Sequence, residues 1–131
     1  MNSDARILII DDDSESLRML ALTLSFDGFR VMTSDQVGHA FELIERFPFL
    51  AAITDFRMLL TSGFDIVQKA RVIRPEMHFI VGSCCFTPDN EHECRKALIT
   101  HLLVKPYNVQ EVSLLLHSLL PHAGSVSLCC D

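Results

Sequence analysis

Ile7-Leu8-Ile9-Ile10-Asp11-Asp12-Asp13 sets four apolar residues directly against three carboxylates. A short run that is apolar at every position, and rich in isoleucine, fits a strand covered on both faces, as in a parallel sheet flanked by helices. The aspartates then fall at the carboxyl end of that strand. Beyond them, Leu17, Leu20, Ala21 and Leu24 recur at helical spacing until Gly28 marks a stop.

The same alternation continues outward from this unit. Arg30 to Thr33 reads as a second strand. Ala40, Phe41, Ile44 and Phe47 form a helical stripe ended by Pro48. Ala51-Ala52-Ile53-Thr54 is a third strand running into Asp55. A loop from Phe56 to Gly63 leads to a helix with Ile66, Val67, Ala70 and Ile73 on one face. Phe79 to Ser83 is a fourth strand, Pro88 to Leu98 a helix, and Leu102-Leu103-Val104 a fifth strand. A last helix carries Val112, Leu115, Leu116, Leu119 and Leu120 up to Pro121. Five strand–helix units of about 20 to 25 residues each predict an α/β fold, a single doubly wound (βα)5 domain around a parallel sheet.

The 131-residue length suits one domain, and a hydrophobic fraction of 49% with 21% charged residues is ordinary for a globular chain. No apolar segment is long enough to cross a bilayer, and Met1 to Arg6 lacks the pattern of a signal peptide. A cytoplasmic address is the expectation. A net charge of −6 without a cluster of Lys and Arg argues against direct nucleic-acid binding. The five cysteines, Cys84, Cys85, Cys94, Cys129 and Cys130, make a poor disulfide framework and are expected to be buried free thiols. The six histidines lack metal-ligand spacing.

Open α/β sheets place their chemistry at the carboxyl ends of the strands. There the sequence offers Asp11-Asp12-Asp13, Asp55, Ser83 and Lys105-Pro106. Crowded carboxylates call for a hard cation, and Mg²⁺ takes one or two carboxylates together with phosphate oxygens. A carboxylate nucleophile beside an amine and a hydroxyl suits phosphoryl transfer. Singly, each residue has a plainer use: an aspartate after a strand is often a helix cap, as Asp13 or Ser14 can be.

Together these residues resemble the receiver domains of bacterial response regulators, such as the chemotaxis regulator. The resemblance runs from about Arg6 to Leu120. It rests on Ile7 to Asp12, on Ile53-Thr54-Asp55-Phe56-Arg57-Met58 with Gly63, on Ser83, and on Lys105-Pro106. It implies a flavodoxin-like sheet of strand order 2-1-3-4-5, and a receiver domain over residues 5–121 followed by a tail over 122–131.

The resemblance also implies roles. Asp55 is the phosphoacceptor, supplied by a sensor histidine kinase or phosphotransfer protein. Asp11, Asp12, Asp55 and the backbone carbonyl of Arg57 are the Mg²⁺ ligands. Ser83 is the hydroxyl that swings toward the phosphoryl group and Lys105 its charged partner, with a cis Lys105–Pro106 bond. The product is a conformational signal, so turnover enzymology is not expected. An aspartyl-nucleophile phosphatase needs an acid two residues after the nucleophile, where this chain has Arg57.

Several positions depart from the family pattern. Leu59-Leu60 replace a usual proline, Cys84 follows the hydroxyl, and Leu98-Ile99 replace a usual Gly-Ala. Leu102 stands three before Lys105, where receivers carry the aromatic residue that rotates on activation. The alternative to a phosphoacceptor switch is therefore a non-switching, receiver-like protein-interaction module. The added apolar residues Leu98, Ile99, Leu102 and Leu103 are either core or a homodimer interface on the helix 4–strand 5–helix 5 face.

Overall fold

The computed structural model describes residues 5–59, 64–99 and 101–121. Five strands form one sheet: β1 (Arg6–Ile10), β2 (Arg30–Ser34), β3 (Phe49–Asp55), β4 (His78–Ser83) and β5 (His101–Val104). Five helices connect and flank them: α1 (Ser14–Phe26), α2 (Val37–Arg46), α3 (Phe64–Ile73), α4 (Pro88–Lys96) and α5 (Val109–Leu119). A single helical turn, Phe56–Met58, follows β3 directly.

All strand pairs are parallel and the order is β2-β1-β3-β4-β5, as the family resemblance implies. β1 therefore lies inside the sheet, which is why Ile7 to Ile10 are apolar without a break. Successive side chains leave a strand on opposite faces. Ile7 and Ile9 join Leu20 and Leu24 of α1 and Val112 and Leu116 of α5 in one core. Leu8 and Ile10 join Ala40 and Ile44 of α2, Val67 and Ala70 of α3, and Cys94 of α4 in the other. Burying a side chain such as Ile53 or Ile80 stabilises by roughly 1.5–3 kcal/mol each, so the two cores together fix the layering.

The helix ends follow local chemistry. Asp13 caps α1, accepting from the Glu15 amide at 3.2 Å and the Ser16 hydroxyl at 3.1 Å. Thr87 caps α4 ahead of Pro88, and Asn108 caps α5. α1 closes on Gly28, whose φ of 97° is the left-handed conformation that glycine adopts freely. Its amide donates to Ser25 O, and the Phe29 amide to Leu24 O.

α4 ends in the same hydrogen-bond pattern, with Leu98 and Ile99 donating to Arg95 O and Cys94 O, both at 2.9 Å. Here the left-handed residue is Leu98, at φ 61°. Arg71 donates to the carbonyls of Ala97 and Leu98, clamping the turn. α4 therefore ends at Lys96, two residues short of the predicted Leu98.

β3 begins at Phe49 rather than Ala51, and β4 and β5 each begin one residue early, on His78 and His101. Among the doubtful apolar residues, Ile99 and Leu103 are buried, Leu102 packs partly against the core, and Leu98 is 73% exposed. The cysteine expectation needs correction. Cys94 is buried, but Cys84 and Cys85 are exposed, because they lie on the β4–α4 connection beyond the end of the sheet. Gly63, Leu60, Cys129, Cys130 and the tail over 122–131 lie outside the described residues. No described helix is long and apolar enough to cross a membrane.

Candidate functional site

Parallel pairing delivers the ends of β1, β3, β4 and β5 to one edge of the sheet. Asp11 follows β1 and Asp55 ends β3; they are only 2% and 3% exposed. Lys105, just after β5, reaches across to both. Its Nζ lies 2.8 Å from Asp11 Oδ2 and 2.6 Å from Asp55 Oδ1. Burial alone would pull the ammonium down, but hydrogen bonds to Asp11 and Asp55 prevail and hold it well above the ordinary lysine value.

The other Asp55 oxygen faces its own helical turn. Oδ2 accepts from the Arg57 amide at 3.0 Å and from Arg57 Nε at 3.3 Å. The same guanidinium reaches Asp12 Oδ1 at 3.5 Å. Asp55 first, and Asp12 after it, hold Arg57 above the ordinary arginine value. Asp12 itself is exposed, so of the predicted acidic pair only Asp11 is enclosed.

Ser83 ends β4, but its hydroxyl turns onto its own loop. It donates to Cys85 O at 3.0 Å and accepts from the Cys85 amide at 3.3 Å. Its carbonyl takes the Lys105 amide at 2.8 Å, adding a rung to the β4·β5 ladder. The Lys105–Pro106 peptide is cis. Asp11, Asp55 and Lys105 are thus drawn together, Asp12 joins through Arg57, and Ser83 lies at the adjacent strand end with its hydroxyl elsewhere.

Two features were not read from the sequence. The first is the Arg57 side chain, valued there only for its backbone carbonyl. The second is Tyr107, the chain's single tyrosine. Its ring fills the space a side chain at residue 82 would need, which Gly82 leaves open. Gly82 pairs in register with Asp55, so the ring stands beside the acidic site, with Lys105 Nζ 5.7 Å from its centroid. Burial raises the Tyr107 phenol above its ordinary value. A glycine directly after the apolar run Phe79-Ile80-Val81, at a strand end expected to lie beside Asp55, was the available signal.

The donor chemistry of Asp11, Asp12 and Asp55 is that of a hard, oxygen-seeking cation. Among the described residues, however, no three His, Cys, Asp or Glu side chains stand grouped as a metal cluster. Lys105 and Arg57 hold these carboxylates, with Arg57 spanning Asp12 and Asp55.

The family model described as "Response regulator receiver domain" matches residues 7–117. The chain is 26% identical over 113 residues to an alginate biosynthesis transcriptional regulatory protein of Pseudomonas putida, covering 86% of this chain and 25% of that protein. It thus spans about a quarter of that relative's length. It is 29% identical over 111 residues to the response regulator receiver protein CpdR of Brucella abortus, covering 82% and 89% of the two chains. The structure of the Vibrio cholerae chemotaxis protein CheY4 superposes with a TM-score of 0.81 at 24% identity, over 90% of this chain and 100% of that one. With this match over most of its length, and with the five-stranded parallel order, the chain belongs to the response regulator receiver domain family.

Proposed function

We propose that the chain is a phosphoacceptor receiver domain of two-component signal transduction, extending over residues 5–121 with 122–131 as a tail. The observation that carries this is the buried Asp55 carboxylate, held by Lys105 on one oxygen and by the Arg57 amide on the other. A sensor histidine kinase or phosphotransfer protein would present a phosphohistidine. The Asp55 oxygen attacks phosphorus, the phosphorus–nitrogen bond breaks, and an acyl phosphate forms on Asp55.

Lys105 neutralises charge gathering on the phosphoryl oxygens without any change of protonation, since its ammonium is already stabilised. Ser83, released from Cys85, would donate its hydroxyl to the same group. Asp11, Asp12, Asp55 and the backbone carbonyl of Arg57 would hold Mg²⁺, which supplies charge neutralisation for the incoming phosphoryl group. The output is conformational rather than catalytic turnover. A cytoplasmic location belongs to this reading, and the net charge of −6 goes with no direct contact with nucleic acid. Exposed Leu98 and Val104 offer apolar surface for a homodimer on the α4–β5–α5 face.

The second reading is a non-switching interaction module. It is favoured by Leu102, an aliphatic residue half-buried where an activating aromatic residue is usual. One experiment tests both. The protein is treated with acetyl phosphate and Mg²⁺, or with beryllofluoride and Mg²⁺, beside Asp55→Asn. A mass gain of one phosphoryl group on Asp55, absent from the variant, is the expected result. No adduct from any donor overturns the phosphoacceptor reading and leaves the module.

A further inference from the structure

Cys84 and Cys85 are consecutive, exposed, and placed immediately after the strand-end hydroxyl of Ser83. The one other described cysteine, Cys94, is buried on the core-facing side of α4. Desolvation pushes the Cys94 thiol up, so it stays protonated and inert. Solvent-borne thiol chemistry among the described residues is therefore confined to the adjacent pair.

The pair is mechanically joined to Ser83. The Ser83 hydroxyl is bonded twice to Cys85, through its carbonyl at 3.0 Å and its amide at 3.3 Å. The Cys85 amide is part of the Cys84–Cys85 peptide, so reorienting that peptide disturbs its bond to the Ser83 hydroxyl. Neighbouring Cα atoms stand about 3.8 Å apart across a trans peptide, whereas a disulfide usually spans about 4.4–6.8 Å. Closing a ring between adjacent cysteines therefore obliges the backbone between them to move. An exposed pair whose disulfide is imposed against the backbone belongs to the labile, reversible class rather than the structural one.

We propose that Cys84 and Cys85 are a reversible thiol-oxidation site, closing to a vicinal disulfide that sets the position of the Ser83 hydroxyl. A low-molecular-weight disulfide such as oxidised glutathione serves as the oxidant. One thiolate of the pair attacks a glutathione sulfur, forming a mixed disulfide and expelling one glutathione thiolate. The second thiolate attacks the protein sulfur of that mixed disulfide, expelling the other. In sum the dithiol loses two electrons and two protons, and one oxidised glutathione becomes two reduced molecules. The effect on phosphoacceptor chemistry rests on the role proposed for Ser83, whereas ring closure does not.

The full chain is incubated with oxidised glutathione, blocked with N-ethylmaleimide, and digested with trypsin and a glutamate-specific protease, which separates the pair from Cys94. The expected Cys84–Cys85 peptide is unblocked and two hydrogens lighter, and reductant restores two blockable thiols. Cys84→Ser and Cys85→Ser each hold a lasting glutathione adduct on the remaining cysteine. Two free thiols, two glutathione adducts on the pair, or a cross-link to a second copy each overturn the site. In a ¹⁵N-labelled chain the Ser83 and Cys85 amide resonances shift on oxidation and return on reduction. A closed ring with unmoved resonances overturns the coupling to Ser83. Oxidation is also expected to weaken beryllofluoride binding with Mg²⁺ by at least about fivefold, and to leave Cys84→Ser/Cys85→Ser unaffected. If the reduced protein never binds beryllofluoride, the phosphoacceptor reading fails while the disulfide result stands on its peptide mass.

Discussion

The ammonium of Lys105 lies 2.6 Å from Asp55 Oδ1 while also holding Asp11 Oδ2 at 2.8 Å. One cation thus bridges two buried acids, one just after β1 and one at the end of β3. Lys105→Met leaves Asp11 enclosed without its cation and Asp55 with Arg57 alone, and is expected to cost about 3 kcal/mol. Urea unfolding measures it. Adding Asp55→Asn to Lys105→Met should recover part of the loss, whereas the same change in the parent chain should not stabilise. Additive effects would show that the ion pair does not carry the stability.

Arg57 spans Asp12 and Asp55 from an exposed position. A divalent cation seeking those carboxylates must displace it. Arg57→Ala is expected to tighten Mg²⁺ binding about two- to fivefold, followed as amide shifts of Asp12 and Asp55 in an NMR titration. Weaker binding would mean that the arginine side chain assists the cation.

The layered fold was legible because strands covered on both faces leave unbroken apolar runs, as at Ile7 to Ile10. Strand starts were less so. Phe49 follows a proline, and His78 and His101 are polar enough to resemble loop, yet parallel pairing takes them in. Asp11, Asp55 and Lys105 could be grouped in advance because parallel topology sends strand ends to one edge. Arg57 could not, since the direction of a long exposed side chain depends on which acids surround it. The left-handed Leu98 escaped for a similar reason: leucine carries no sequence signal of positive φ, and only the hydrogen bonds closing α4 require it.

Tyr107 occupies the room left by Gly82. Gly82→Ala should expel the ring and cost about 1–3 kcal/mol, with little further loss when combined with Tyr107→Ala. With one tyrosine and no tryptophan, alkaline absorbance reports this phenol alone. Folded protein should titrate above the ordinary 10.0, and Gly82→Ala nearer to it. The native state holds its proton longer than the unfolded chain, so this stability is full below pH 10.0 and fades as pH rises further.

Leu98 adopts φ 61° at 73% exposure, so it carries the strain of the left-handed region with little buried area in return. Leu98→Gly is expected to stabilise by about 0.5–1 kcal/mol, read as a higher urea midpoint. A destabilised variant would show that the leucine side chain contributes more through packing than its backbone costs.

Burial, and then the neighbouring His101, depress the His78 imidazolium below its ordinary 6.5. The unfolded chain therefore binds this proton first as pH falls. Stability should decline below pH 6.5, and His78→Gln should flatten that slope in urea midpoints taken at about pH 7.5, 6 and 5. An unchanged slope would move the acid sensitivity to other groups.

The rung between the Lys105 amide and the Ser83 carbonyl fastens the main chain at the last step of the sheet. Under the role proposed for Asp55, a change in the pocket would have two exits, one on each side of that rung. One runs through the Ser83 hydroxyl into the loop that begins at Cys84 and ends on α4. The other runs through the Tyr107 ring into the start of α5. A partner reading only one of these helices would hear only half of what the pocket has to say.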